Sequence, residues 1–159
     1  MGAVASGNVR ILQPDVIEGL LIPRSVIDAV TAEEIRELAR RERAFRGDQP
    51  SPQLGGRHII LVDDGLATGS TMHAAVAALK LQRPERIIVA VPVAASETCD
   101  EFKSEVDKII CLRTPTSFNA DGLWYEIFPQ LTDEEVREFL RKADELWASP
   151  NSDRSIRVA

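Results

Sequence analysis

The sequence is poor in cysteine and histidine, which limits the metal and redox chemistry that it can support. It contains two cysteines, Cys99 and Cys111, and two histidines, His58 and His73. These residues form no Cys-x-x-Cys pair and show no zinc-site spacing. We therefore expect two free thiols that pack as small buried hydrophobes, which suits a reducing cytoplasm, and no metal bound directly by the protein. The histidines are isolated, and we expect neither to be catalytic.

The sequence also lacks an excess of positive charge and a long apolar run. Its formal net charge is −6 at pH 7, whereas a nucleic-acid-binding surface needs a basic face. No apolar stretch approaches the ~20 residues that span a bilayer. The short apolar start at Met1 has no basic residues, unlike a signal peptide. We therefore expect a cytoplasmic protein with no nucleic-acid or membrane partner.

The length and composition favour a single folded domain. At 159 residues with 44% hydrophobic residues, the chain is long enough for a substantial core, because a domain of this size buries roughly 70% of its unfolded surface. We predict one domain over residues 1–148. The polar tail at 149–159 is expected to be disordered.

Alternating apolar and helical segments predict an α/β fold, in which a parallel sheet is flanked by helices. The strand candidates are continuous Ile/Val/Leu runs, which are typical of a parallel sheet covered on both faces. Residues 16–27 are predicted to be irregular. The predicted strands span 9–12, 57–62, 86–91 and 108–112, and the predicted helices span 31–46, 70–81, 96–106 and 132–147.

Three of these helices have recognisable start signals. Thr31 with Glu34, and Thr132 with Glu135, match the capping box, in which a hydroxyl and a carboxylate satisfy the first backbone N–H groups of the helix. Ser96 is the predicted cap of the helix that it begins.

The chemistry is concentrated where the strand at 57–62 ends. Asp63 and Asp64 follow that strand directly, and small residues then lead into the helix at Ser70. In an open parallel α/β sheet, ligands bind beyond the carboxyl ends of the strands. Small residues allow close backbone approach, and N–H groups at a helix N-terminus favour a phosphate. The predicted phosphate-binding residues are Gly65, Ala67, Thr68, Gly69, Ser70 and Thr71.

The acid pair must face a different part of the ligand, because carboxylates repel a phosphate. Ribose hydroxyls and a hydrated Mg²⁺ are the natural partners of Asp63 and Asp64. The residues alone therefore indicate a sugar phosphate with a divalent metal nearby. The main alternative is a plain strand-to-helix turn. A receiver domain would need a second acidic pair and a later lysine, and a Walker loop would need Gly-Lys-Ser/Thr; neither pattern is present.

The segment from Ile59 to Thr71 resembles the binding motif for 5-phosphoribosyl-1-pyrophosphate (PRPP) in type I phosphoribosyltransferases. The match comprises four hydrophobic residues, two acids and a Gly-Leu-Ala-Thr-Gly-Ser-Thr loop. The resemblance implies that Asp63 and Asp64 are catalytic and bind the ribose hydroxyls, while residues 67–71 bind the 5′-phosphate. Mg²⁺ would sit mainly on pyrophosphate and ribose oxygens. The implied reaction transfers a phosphoribosyl group to a nitrogenous base and releases pyrophosphate.

Segments 1–8, 40–46, 89–98 and 122–125 are similar to an uncharacterised bacterial group of this family. That group has a Pro-Arg-Gly-Gly-like loop that grips the pyrophosphate, and no such loop occurs before Asp63. We therefore expect the chain to begin inside the family domain, without its N-terminal third. The Rossmann-like sheet would then be incomplete, with an unpaired edge. A partner chain in a homodimer could cover this edge, the segment 9–22 could cover it, or it could have no natural cover if the start of the chain is misassigned.

Two further hypotheses stay open. One is a PRPP- or nucleotide-binding regulatory module with weak or no transfer activity. The other is a purely structural or interaction domain, in which Asp63 and Asp64 would have no ligand.

Two further pairs of residues are candidate ligand contacts. Arg43 and Arg46 are candidates for the pyrophosphate, because a guanidinium fork binds phosphate oxygens in pairs. Their alternative is a solvated helix face paired with glutamates. Trp124 and Tyr125 follow the last strand, where loops of the resembled family contact the base. Their alternative is packing in a small satellite core.

Overall fold

A computed structural model describes residues 1–148 except 48, 50 and 119. The chain forms two compact units, one of residues 1–38 with 53–128 and one of residues 39–52 with the chain from Pro129 onward. The predicted tail at 149–159 lies outside the described residues. The single domain over 1–148 stays a prediction.

The order of elements is that of an α/β protein preceded by a hairpin. The first unit holds β1 (Gly2–Ala5), β2 (Val9–Leu12), α1 (Pro14–Gly19), β3 (His58–Val62), α3 (Ser70–Leu81), β4 (Arg86–Val93), α4 (Ser96–Phe102), β5 (Lys108–Arg113) and a 3₁₀ turn (Asp121–Trp124). Helix α2 (Arg24–Arg46) has residues in both units, and α5 (Asp133–Ala148) belongs to the second.

The central sheet has three parallel strands in the order β3-β4-β5. The register places Leu61 beside Val89 and Val89 beside Ile109. This arrangement confirms the predicted parallel sheet flanked by helices, and it brings the carboxyl ends of all three strands to one edge. Strands β1 and β2 form a separate antiparallel hairpin, of which the sequence analysis found only β2.

One face of the sheet is buried against helices. The core joins alternate residues of β4 to α3 and α4, and its members include Met72, Val76, Ile87, Val89, Val91 and Phe102. The opposite face of the outer strands is exposed, at Ile60 (55%), Val62 (74%), Ile110 (38%) and Leu112 (76%). The sequence predicts a sheet that is covered on both faces. For the part of the chain that the structure describes, this expectation is wrong.

The start of α2 differs from the prediction. The helix begins at Arg24, within the segment expected to be irregular, and the Pro23 carbonyl accepts a hydrogen bond from Ile27 N at 3.2 Å. Thr31 lies inside the helix, where its hydroxyl donates to the Ile27 carbonyl at 2.7 Å. The capping box at Thr31 is therefore wrong, because a threonine within a helix can bond to the carbonyl one turn earlier instead.

The capping box of α5 is confirmed. Glu135 N donates to the Thr132 hydroxyl at 3.3 Å, and Thr132 N donates to Glu135 Oε2 at 2.8 Å. The backbone bond from Thr132 lowers the pKa of Glu135, helped by the Thr132 hydroxyl. This cap therefore stabilises α5 at pH values above the ordinary carboxyl pKa. Its stabilisation is lost as the pH falls through the lowered pKa of Glu135. Ser96, in contrast, is no cap: α4 has Ala95 at its N-cap position, with no side-chain bond.

The two cysteines are not free thiols. Cys99 on α4 and Cys111 on β5 form a disulfide, with Cα atoms 7.1 Å apart, which corrects the sequence-based expectation. The pairing arises because α4 packs against β5, a contact that the sequence spacing of the cysteines does not reveal. None of the described helices combines the length and the apolar character that crossing a membrane would require.

Candidate active site

The predicted acid pair lies at the carboxyl end of β3, where the chain leaves the sheet. Asp63 is half-buried and Asp64 is exposed. The backbone N–H of Asp64 donates to Asp63 Oδ1 at 3.0 Å, which ties the first carboxylate to the start of the following loop. The two side chains thus occupy the ligand-binding edge that the sequence predicts.

The loop that follows, residues 65–71, is called the phosphate loop below. Its start is fixed to the end of β4: Leu66 N donates to the Val93 carbonyl at 3.1 Å, and Ala95 N donates to the Leu66 carbonyl at 2.9 Å. The Leu66 side chain is only 2% exposed, so it anchors the loop in the core. Ala67 and Thr68, directly after this anchor, are exposed.

Gly69 makes the sharp turn from the loop into α3. Its φ is +64°, in the left-handed region that favours glycine, and its carbonyl accepts the bond from His73 N at 2.8 Å. A Cβ at this position would lie 2.9 Å from both Thr98 Cγ2 and Phe102 Cε2. The loop backbone therefore passes directly against α4, and a side chain has no room there.

The nine residues from Asp63 to Thr71 form one continuous edge of the first unit. The hydroxyls of Thr68 and Ser70 lie 3.2 Å apart, within hydrogen-bond distance. Thr71 is exposed, whereas Gly65 and Gly69 are buried. The first N–H groups of α3 have no partner within the helix, so the loop and helix together can present several donors to an anion. The individual binding roles of these residues stay predictions.

Tyr125 connects the segment after β5 to the acid pair. Its hydroxyl donates to the Asp64 carbonyl at 2.7 Å, and its ring lies 4.9 Å from that of Phe128. Trp124, 42% exposed, stacks with Phe118 at 6.5 Å. The structure thus brings Tyr125 to the predicted ligand edge, through a bond that the sequence does not signal. Base contact by Trp124 or Tyr125 stays a prediction.

Thr98 is a site residue that the sequence analysis missed. It lies on α4, is 6% exposed, and donates its hydroxyl to the Ala67 carbonyl at 2.6 Å. The available signal was its place just beyond the end of β4, since the carboxyl ends of neighbouring parallel strands share an edge. Nothing in the sequence identified Ala67 as its partner.

The candidate arginines belong to the other compact unit. Arg43 and Arg46 lie in the last turn of α2, where Arg43 Nε donates to the Ala39 carbonyl at 3.2 Å. In the same unit, Arg40 pairs with Asp133 at 2.5 Å. Contact of Arg43 and Arg46 with a pyrophosphate stays a prediction.

The histidines are not isolated, contrary to expectation. His58, the first residue of β3, lies 3.3 Å from Glu85. His73 Nδ1 lies 3.0 Å from Glu105, and its ring stacks on Phe102 with centroids 4.1 Å apart. His58 is at the opposite end of β3 from Asp63.

The acid pair is compatible with a magnesium ion carried by the ligand. Among the described residues, no group of three or more His, Cys, Asp or Glu side chains could hold a metal on its own. Asp64 is exposed and Asp63 half-buried, so their oxygens can meet a hydrated ion from the solvent side. Mg²⁺ keeps several waters and binds through one or two carboxylates together with substrate phosphates, which fits this donor set.

Comparison with known proteins places this arrangement in a family. The phosphoribosyl transferase domain family matches residues 12–122. A Mycobacterium tuberculosis protein named "Putative phosphoribosyl transferase" is 36% identical over 142 residues, covering 89% of this chain and 32% of that protein. The bifunctional protein PyrR of Deinococcus radiodurans is 42% identical over 79 residues, covering 48% of this chain and 43% of PyrR.

A solved structure has a similar fold. The crystal structure of TT1426 from Thermus thermophilus matches with a TM-score of 0.69 and 33% identity, covering 89% of this chain and 66% of that one. The chain therefore spans about two thirds of TT1426 and about one third of the mycobacterial relative. The family match includes the acid pair, the phosphate loop and all three strands of the parallel sheet. This chain belongs to the phosphoribosyltransferase family.

Proposed function

We propose that this chain binds PRPP and transfers its 5-phosphoribosyl group to a nitrogenous base, releasing pyrophosphate. The observation that carries the proposal is the acid pair and the phosphate loop, which lie together at the carboxyl edge of a phosphoribosyltransferase sheet. In this proposal Asp63 and Asp64 bind the ribose hydroxyls, and the phosphate loop binds the 5′-phosphate.

Local geometry supports a phosphate at this loop. Ala67, Thr68 and Thr71 are exposed, so their backbone N–H groups and the two threonine hydroxyls are accessible to a ligand. The N-terminus of α3 adds unpaired N–H groups and the positive end of the helix dipole. Together these features favour the doubly charged 5′-phosphate over a neutral group.

The proposed reaction is a displacement at ribose C1. The C1–O bond to pyrophosphate breaks, a nitrogen of the base forms the new bond to C1, and positive charge develops on the ribose ring between these events. Asp63 and Asp64 stabilise that charge and hold the ring in place, so most of the catalysis is electrostatic stabilisation and positioning. Mg²⁺, when bound with PRPP, neutralises charge on the departing pyrophosphate.

The remaining contacts complete the proposal. Arg43 and Arg46 bind the pyrophosphate, and Trp124 and Tyr125 contact the base. Trp124 is 42% exposed, and its neighbour Tyr125 donates its hydroxyl to the backbone carbonyl of Asp64, which supports stacking of a base at this position.

We also propose a cytoplasmic homodimer. The exposed apolar face at Ile60, Val62 and Leu112 supports a partner that covers it.

The alternative function is a PRPP- or nucleotide-binding regulatory module with weak or no transfer activity. The same observation supports it, because the acid pair and the phosphate loop can hold a phosphorylated ribose whether or not a transfer follows. Such a module would keep the phosphate loop and the acid pair but would not orient the leaving group.

Calorimetric titration with PRPP and Mg²⁺, followed by a pyrophosphate-release assay with purine and pyrimidine bases, separates these functions. We expect saturable PRPP binding. We also expect pyrophosphate release only when one particular base is present. Binding without release for any base would support the regulatory module. No binding at millimolar PRPP would contradict both functions.

Replacing Tyr125 by phenylalanine should weaken PRPP binding several-fold. The change removes the bond to the Asp64 carbonyl and keeps the ring beside Phe128, and one hydrogen bond of this kind contributes about 1 kcal/mol. Calorimetry measures the affinity, and thermal unfolding reports the stability of the variant. Tyr125→Leu serves as a comparison, because it also removes the ring. Wild-type affinity in Tyr125→Phe would show that this bond does not position the acid pair.

A further inference from the structure

Thr98 contacts the phosphate loop from the side of the protein interior. Its hydroxyl donates to the Ala67 carbonyl at 2.6 Å, and the side chain is 6% exposed. A buried hydroxyl needs a hydrogen-bond partner, and so does a loop carbonyl outside regular structure. The Thr98 hydroxyl and the Ala67 carbonyl therefore satisfy each other. Within the described part of the chain, neither group has a second hydrogen-bond partner.

The same side chain also touches the loop at a second point. A Cβ built on Gly69 would lie 2.9 Å from Thr98 Cγ2, so the methyl group lies directly against the turn that begins α3. Thr98 thus contacts the loop on both sides of Thr68, by its hydroxyl at Ala67 and by its methyl at Gly69. A two-point contact of this kind restricts rotation of the peptides between these residues.

The direction of the Ala67 carbonyl fixes the direction of the next N–H group. In a planar trans peptide, the C=O of one residue and the N–H of the next point in opposite directions. Because the Ala67 carbonyl points toward α4, the Thr68 N–H points away from α4 and toward the exposed side of the loop. If this peptide flipped, the carbonyl oxygen would face the same side and would repel an anion.

We propose that Thr98 is a positioning residue, which holds the Ala67–Thr68 peptide with its N–H group directed at the 5′-phosphate. This inference rests on the proposed function, because it assigns a ligand to the phosphate loop. Thr98 itself touches no ligand and acts through the orientation of the loop. The expected contribution is that of one hydrogen bond, so losing the hydroxyl should weaken ligand binding about tenfold.

Two pairs of variants isolate the hydroxyl from the methyl group. Thr98→Val removes the hydroxyl and keeps the shape, while Thr98→Ser keeps the hydroxyl and removes the methyl. Thr98→Ala removes both groups. We expect ribose 5-phosphate affinity, measured by calorimetry, to fall about tenfold from threonine to valine and again from serine to alanine. Thr98→Ser should stay within about twofold of the wild type, since the donor remains.

An amide readout distinguishes positioning from a general loss of stability. In ¹⁵N-labelled wild-type protein, the Thr68 amide signal should shift strongly on titration with ribose 5-phosphate, and in Thr98→Val this shift should be much smaller. The titrations are run well below each unfolding midpoint. Equal affinities in threonine and valine proteins, or an equal loss in serine and alanine variants, would overturn the role of Thr98 and leave the proposed function intact. Failure of the wild type to bind ribose 5-phosphate and PRPP would overturn both.

Discussion

Replacing Asp63 and Asp64 together by asparagine should abolish measurable PRPP binding and any pyrophosphate release. Hydrogen bonds to charged groups contribute about 1.5–3 kcal/mol each, so two neutralised acceptors should weaken binding by at least about a hundredfold. The fold should survive the change. Asparagine at position 63 keeps an oxygen that can accept the bond from the Asp64 N–H, and Asp64 is exposed.

The control for this variant removes the same charge elsewhere in the first unit. Asp15 and Glu18 are exposed on α1, so Asp15→Asn/Glu18→Gln also raises the net charge by two. PRPP is a polyanion, and removing negative charge anywhere should slightly favour its approach. A loss of binding in Asp63→Asn/Asp64→Asn but not in the control therefore assigns the effect to specific contacts. Wild-type binding in both proteins would mean that the acid pair belongs to a plain strand-to-helix turn.

The parts of the fold that could be predicted are those encoded by local pattern. Strands β3, β4 and β5 are uninterrupted apolar runs, and α3 falls at 70–81 as predicted. The acid pair and the phosphate loop could also be predicted, because their residues are contiguous in sequence. Their common location follows from a single strand-to-helix connection and requires no knowledge of distant contacts.

The wrong predictions share a physical cause: the same local sequence pattern is compatible with two different structures. Thr31 and Thr132 both precede a glutamate by three residues, yet only Thr132 caps a helix. The segment 16–27, predicted to be irregular, instead includes the start of α2, where the Pro23 carbonyl accepts a bond in the first turn. Hydrophobic runs likewise do not specify whether a helix covers each face, as the exposed Val62 demonstrates.

Contacts between distant residues could not be predicted from one sequence. Tyr125 bonds to Asp64 across 61 residues, and Thr98 bonds to Ala67 across 31. Each partner is a backbone carbonyl, which every residue has, so no residue type marks it. These bonds nevertheless link Tyr125 to the backbone of the acid pair and α4 to the phosphate loop. The sequence therefore identifies the residues of the candidate site but not the contacts that hold them in place.

Replacing Gly69 by alanine should both destabilise the protein and eliminate phosphate binding. The backbone has φ +64°, which costs an L-residue roughly 1–2 kcal/mol. The added Cβ would also lie 2.9 Å from Thr98 Cγ2 and Phe102 Cε2. Phe102 is fully buried and cannot move aside freely, so overpacking adds roughly 1–3 kcal/mol. Thermal unfolding should show a midpoint lowered by roughly 4–20 °C.

Gly56→Ala is the matched control for backbone conformation. Gly56 has φ +68°, but a Cβ there would meet nothing within 4 Å. This variant should therefore show only the conformational cost of roughly 1–2 kcal/mol and should bind PRPP like the wild type. The difference in stability between the two alanine variants measures the contact with α4. Equal stability losses and equal affinities would mean that the loop does not press against Thr98 and Phe102.

A double variant tests whether the Thr98 methyl group contributes to the steric exclusion of a side chain at position 69. Thr98→Ser removes the Cγ2 atom that the new Cβ would meet, while Phe102 remains in place. Gly69→Ala/Thr98→Ser should therefore be more stable than the sum of the two single effects predicts, by about 0.5–3 kcal/mol, as for other residues in contact. Strict additivity would show that Phe102 alone closes this position. Positive coupling would establish that the side chain orienting the Ala67 carbonyl also sets how closely α4 approaches the phosphate loop.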